Sequence, residues 1–282
     1  MSKLLKRYYP LFLLPTLIAF FIAFFIPLIM GIYLSFTEFT TVTDAEFIGF
    51  QNYILAFENQ DFLNALWFTL RFTAVSVISV NLIAFFLALA LTKKLPGTNI
   101  FRTIFFMPNL IGGIVLGYIG LLIINGILLR FGVTLTYSPA YGFWGLIFLM
   151  NWQMIGYMMV IYIAGIQNIP PELIEAAHID GANNLRILRH ITIPLVMPSV
   201  TICLFLTLTN SFKLFDQNLA LTAGEPRHTT EMLALNIYNT FYARAGAQWK
   251  GMGQAKAVIF CILVIVISLI QFKATHSKEV QQ

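Results

Sequence analysis

Six stretches of the chain, roughly 11–36, 70–92, 103–125, 142–166, 195–221 and 255–272, are almost free of charge. A helix that crosses a bilayer needs about 20 mainly apolar residues, and each stretch is near that length or above it. Of the 282 residues, 59% are hydrophobic and 10% are charged. A soluble domain carries about 25% charged residues, so this chain lacks the groups to cover a water-facing surface. The expected fold is therefore an all-α polytopic membrane protein with six transmembrane helices, forming one transmembrane domain over 1–282.

The first apolar run follows Lys3, Lys6 and Arg7, as a signal peptide would. It is too long for a signal peptide and no A-x-A site follows, so it reads as an uncleaved first span. Pro15 and Pro27 lie within it, and membrane helices tolerate such breakers where neighbouring groups satisfy the freed carbonyls. The third stretch holds Pro108, Gly112, Gly113, Gly117 and Gly120, a spacing that suits close helix packing. Short-loop Lys and Arg set orientation. Lys93, Lys94, Arg102, Arg186, Arg189, Lys273 and Lys278 fall on the same side as the basic N-terminus, and the acidic 37–64 loop falls on the other. Both termini are expected to be cytoplasmic, in the inner membrane of a bacterium.

Several chemistries are poorly served by these residues. The formal net charge of +5 fits cytoplasmic Lys and Arg better than a nucleic-acid footprint. Cys203 and Cys261 lie in apolar runs without CxxC spacing, and the four His (178, 190, 228, 276) are scattered, which is unlike a metal site. No G-x-x-x-x-G-K-[ST] loop is present, so the chain is not an ATPase. Proton coupling generally uses Asp, Glu or His within the spans, and none lies mid-span in the six stretches.

The loop at 168–194 is unusual for a segment outside the bilayer. Asn168 with Pro170-Pro171 fits a helix entry, Glu172 and Glu175 suit the positive helix end, and Gly181 fits a helix stop. A second short helix is expected between Asn183 and Pro194. Leu173, Ile174, Ala176, Ala177 and Ile179 give the first helix much apolar surface, which calls for a partner or for packing on the chain's own spans.

The run Glu175-Ala176-Ala177, then Asp180-Gly181, nine residues, and Ile191-x-Ile193-Pro194 resembles the EAA loop of permease subunits of binding-protein-dependent ABC importers. Ile193 stands where the family usually has Leu. Gly49-Phe-Gln-Asn52-Tyr53 resembles the G-x-x-N-Y element of sugar permeases, Arg102 to Pro108 the start of their third span, and Thr222-Ala-Gly-Glu-Pro226 their T-x-G-G-P element, with Glu225 in place of the second Gly. The resemblance covers nearly the whole chain and points to the carbohydrate-uptake branch, in particular to the first permease of maltose, multiple-sugar and glycerol-phosphate systems.

That resemblance implies a cytoplasmic coupling helix, with Glu175, Ala176, Ala177, Asp180, Gly181, Ile191 and Pro194 contacting an ATPase subunit. It also implies a second permease, two ATPase copies that hold ATP and Mg, an outer solute-binding protein, a sugar substrate, and no cofactor in this chain. Substrate contacts are expected from the spans flanking the loop, at Asn151, Tyr157, Thr207, Asn210 and Ser211. Met154 is larger than the residue expected at its position. On helical spacing Thr207 and Ser211 share one face, and Lys213 and Asp216 are spaced to pair. Two other readings stay open: an ABC permease for another solute such as glycerol phosphate, and an ion-coupled secondary transporter.

Overall fold

The computed structural model describes residues 3–93 and 97–276. Lys94 and Lys278, which enter the orientation argument, lie outside the described residues. Among the described residues six helical stretches are long and apolar enough to cross a membrane: Phe12–Leu34, Gln60–Leu91, Gly113–Phe131, Pro139–Gln167, Asn184–Phe212 and Ala247–Thr275.

In chain order, α1 (Lys3–Phe20) runs through a π-helical turn into α2 (Ile26–Leu34). A two-residue antiparallel pair, β1 (Thr37–Glu38) with β2 (Glu46–Phe47), precedes α3 (Gln51–Glu58). Then come α4 (Gln60–Leu91), α5 (Thr98–Phe106), α6 (Gly113–Leu128) and α7 (Pro139–Gln167). The short α8 (Pro171–Ile179) and α9 (Asn184–Ile187) follow. The chain closes with α10 (Ile193–Phe212), α11 (Asp216–Leu221), α12 (Leu233–Tyr238) and α13 (Ala247–His276).

Several boundaries differ from the sequence reading, among them the sixth span, which begins at Ala247 rather than 255. The second span starts ten residues early, because Gln60, Asp61 and Asn64 are polar yet helical. The third stretch is two helices: Pro108 and Gly112 interrupt the ladder, Met107–Leu110 tightens into a 3-10 turn, and Ile111 is extended. The fifth span stops at Phe212, so 216–221 belongs to the separate α11. It also begins well before 195, since the helix opened by Asn183 does not end before Pro194. It widens into a π turn at Leu188–Thr192, where the N–H of Ile193 reaches the Leu188 carbonyl, and continues as α10. Proline has no N–H and its ring displaces the carbonyl four residues back; the wider turn accommodates both. The same device precedes Pro27, where Phe21–Phe25 is π-helical.

The chain divides into two compact units, 3–60 with 237–261, and 61–236 with 262–276. In the first, the G-x-x-N-Y element has a clear task. Asn52 is buried and its side-chain amide donates to the carbonyls of Ser35 (3.0 Å) and Thr37 (2.8 Å). Tyr53 Oη shares a 2.6 Å hydrogen bond with Ser35 Oγ. These bonds fasten the β1 segment to α3. Nearby, the backbone N–H of Thr41, with that of Thr40, holds the Asp44 carboxyl below its ordinary pKa. Lys256 of α13 is buried and donates to Thr240 Oγ1 at 2.9 Å. Removing the Asn52 amide strands two carbonyls, a loss of about 2 kcal/mol. Asn52→Ala is thus expected to lower the apparent melting temperature of the detergent-solubilised protein by several degrees, read by thermal denaturation.

In the second unit the core runs along α4, α7 and α10, from Phe72, Val80 and Ala84 through Leu146, Met150 and Met158 to Val196 and Cys203. A buried polar chain crosses it. Tyr162 Oη donates to Asn81 Oδ1 at 2.8 Å, Asn81 Nδ2 donates to Thr207 Oγ1 at 3.2 Å, and Thr207 Oγ1 donates to the Cys203 carbonyl at 2.7 Å. Away from water such groups must find partners inside the protein, and here they tie three helices in one register. Small residues set the closest crossings. A methyl on Gly117 of α6 would lie 2.6 Å from the Cβ of Ala220 on α11, so the small-residue spacing of the third stretch serves packing.

Candidate functional site

Two features stand out: the segment between α7 and α10, and a polar cavity where two helices break. In the first, Asn168 is the C-cap of α7 rather than part of a helix entry, which corrects the sequence reading. Pro170 is the N-cap of α8, Pro171 occupies its first turn, and Glu172 faces the positive helix end. The helix then stops at Gly181, whose φ is +77°. The N–H of Gly181 reaches the His178 carbonyl (3.1 Å) and that of Ala182 the Ala177 carbonyl (2.9 Å). This double closure needs a left-handed residue, and glycine adopts it without a Cβ penalty.

One face of α8 packs inward through the half-buried Ile174 and Ala177, with Ile169 buried before it. The other face is open. Glu175, Ala176, His178 and Asp180 are exposed, Leu173 is 46% exposed, and Ile179 is 86% exposed. Leu185 on α9 is 72% exposed. After it, Asn183 caps α9 by accepting from the Arg186 N–H at 2.9 Å. Ile191 is half-buried against the core and, with Ala182, Arg186, Ile187 and His190, lines a shallow cleft of about 330 Å³. Pro194 is half-buried in the first turn of α10.

The second feature is a cavity of about 290 Å³ lined by Asn109, Gln153, Tyr157, Asn210, Lys213 and Gln217, with Met150, Met154 and Leu214 as its apolar wall. It lies where the chain leaves helical geometry twice, at 107–112 and at 213–215. Irregular backbone at membrane depth is tolerated where it lines a cavity or is buried in protein. Amides bridge the breaks: Gln217 Nε2 donates to Gln153 Oε1 at 2.6 Å, and Gln153 Nε2 donates to the Ile111 carbonyl at 3.4 Å. The Tyr157 ring stands edge-on to Phe106, with centroids 6.4 Å apart.

Of the five residues expected along a substrate path, Tyr157 and Asn210 line this cavity. Thr207 and Ser211 are fully buried, and Ser211 Oγ donates to the Thr207 carbonyl at 2.7 Å. Asn151 donates to Ser79 Oγ (2.9 Å) and to the Ile147 carbonyl (2.8 Å), within the helix packing. The lining also holds Asn109, Gln153, Gln217 and Lys213. Lys213 does not pair with Asp216, because the helix that would align them ends at Phe212. Asp216 sits instead against the N-terminus of α6, beside Gly113.

The T-x-G-G-P element is a fixed turn. Asn218 Nδ2 donates to Thr222 Oγ1 (2.9 Å) and to the Thr230 carbonyl (2.8 Å), and Asn218 Oδ1 accepts from the Met232 N–H at 2.9 Å. Among the described residues no group of three or more His, Cys, Asp or Glu is placed to hold a metal ion.

Known proteins agree with these features. Residues 96–274 match the family described as binding-protein-dependent transport system inner membrane component. The chain is 44% identical to the probable starch degradation products transport system permease protein AmyD of Thermoanaerobacterium thermosulfurigenes, over 97% of this chain and 96% of that one. It is 31% identical to the multiple sugar-binding transport system permease protein MsmF of Streptococcus mutans, over 99% of both. A bacterial ABC transporter chain involved in import of the acidic polysaccharide alginate superposes with a TM-score of 0.81 at 23% identity, covering 98% of each chain, which speaks for the fold. With six apolar helices and a family match across the breaks, the cavity and the α8 loop, the chain is a multi-pass membrane protein that belongs to the inner-membrane component family of binding-protein-dependent transport systems.

Proposed function

We propose that the chain is one permease subunit of an ATP-driven importer of oligosaccharides. A second permease completes the pathway, two ATPase subunits hold ATP and Mg, and a solute-binding protein delivers the sugar on the far side. Both termini and the α8 loop face the ATPases in the cytoplasm. The observation that carries the reading is the cavity. Its four amides, Asn109, Gln153, Asn210 and Gln217, each offer donors and an acceptor, and Tyr157 adds a ring and a hydroxyl. Sugar hydroxyls both donate and accept, so amides match them, and an aromatic face suits the apolar side of a sugar ring. The similarity to a starch-product permease supports the sugar class and favours glucose oligomers.

The α8 helix supplies the coupling. Its exposed row, from Leu173 past Glu175 and Ala176 to Ile179, has the size and apolar character of a docking ridge. Rigid-body motion of an ATPase gripping that ridge passes through the continuous α9–α10 helix to Lys213 at the cavity, which is a path for alternating access.

The test is ATP-dependent uptake of maltotriose and longer glucose oligomers into proteoliposomes holding the full complex and its binding protein. Tyr157→Ala is expected to cut uptake about tenfold, the effect of losing roughly 1.4 kcal/mol of ring contact. Full uptake by Tyr157→Ala, or uptake of a phosphate ester with no saccharide uptake, contradicts the reading.

A further inference from the structure

Among the described residues Lys213 is the one charged side chain in the cavity lining, and no carboxylate lines the cavity with it. It is exposed, at the C-cap of α10, and forms no ion pair among the described residues. The nearest acidic residue in sequence, Asp216, is turned against the N-terminus of α6. The remaining lining is amide, thioether, phenol and aliphatic. We propose that Lys213 acts as a charge filter of the translocation cavity: it makes the pathway selective for neutral and carboxylate-bearing saccharides and unfavourable to amino sugars and other cations. This rests on the cavity being the sugar pathway.

The physical basis is direct. An ammonium on a flexible stem donates to hydroxyl or carboxylate oxygens and has no acceptor to offer. A solute ammonium entering beside it meets like-charge repulsion with no compensating anion in the lining. The amides recognise hydroxyls without regard to solute charge, so discrimination by charge falls to Lys213.

Asn210 is three residues from Lys213 on the cavity-facing side of the chain and supplies a reporter. In the assembled transporter, with the exposed Cys261 replaced by Ser, Asn210→Cys is labelled by an anionic and by a cationic methanethiosulfonate of similar size. The ratio of anionic to cationic rates is expected to fall about fivefold when Lys213 is changed to Gln, and to hold at the parent value with Lys213→Arg, as Coulomb interaction in a water-filled site requires. An unchanged ratio in Lys213→Gln, with labelling that still blocks uptake, overturns the charge filter and leaves the sugar pathway standing. Labelling of Asn210→Cys that leaves uptake untouched removes the cavity from the pathway, and the filter with it.

Discussion

Gly156→Ala is expected to remove the folded protein from detergent extracts, although alanine is the better helix former. On α7, Gly156 touches backbone: an added methyl would overlap the carbonyl of Phe105 and approach the Phe106 nitrogen to 2.6 Å. Overpacking usually costs about 1–3 kcal/mol. Here the obstacle is main chain of a crossing helix, which has no rotamer to yield, so the cost lies at about 3 kcal/mol or more. The damage also reaches the cavity, because the α5–α7 crossing fixes the break at 107–112 beside Gln153 and Tyr157. Gly126→Ala is the matched control. Nothing lies within 4 Å of its added methyl, so stability is expected to stay at or slightly above the parent value. Monodispersity and thermal denaturation of the two variants read the difference.

The second large effect is expected at α8. Ile179→Asp puts a charge on a side chain that is 86% exposed, so the free subunit loses nearly nothing. In a docked complex the same change buries a charge without a partner, which costs several kcal/mol. Glu175→Lys reverses the sign of an exposed group one turn away on the same proposed docking ridge. Both changes leave Ile174, Ala177 and the Gly181 closure intact. They therefore separate docking from folding, and each is expected to lower ATPase recovery at least tenfold while insertion in the membrane is kept.

How far the sequence carries the fold depends on the range of the forces involved. The six spans were legible because length and apolarity act locally and the bilayer demands both. The α8 stop was legible too, since a glycine at 181 after a helical run is a local signal. The helix breaks were not. Hydropathy over 103–125 is high on both sides of Pro108, so the lost main-chain hydrogen bond there leaves little trace. At 195–221 the polar run from Thr209 to Asn218 sits on the break, and the sequence reads there as the end of one continuous helix. Reading 195–221 as one helix also produced the Lys213–Asp216 pair, which needs unbroken helical spacing. The cavity depends on contacts far apart in sequence, such as Gln153 with Gln217. Only the clustering of Pro108, Gly112 and Gly113 hinted at where it forms. The hydrogen bonds of Asn52, and of Asn218 four residues before the Thr222–Pro226 element, are likewise tertiary and leave no local signal.

The most direct measurement of the central claim is co-purification of the ATPase with the membrane-extracted complex, combined with ATP-dependent saccharide uptake after reconstitution, for the parent chain, Glu175→Lys and Ile179→Asp. The account predicts that the parent chain brings down its ATPase and drives uptake, and that both variants keep the second permease while losing the ATPase and the uptake together. Parent-level ATPase recovery and uptake in both variants would contradict it, because the exposed ridge of α8 would then not be where ATP hydrolysis is coupled to transport.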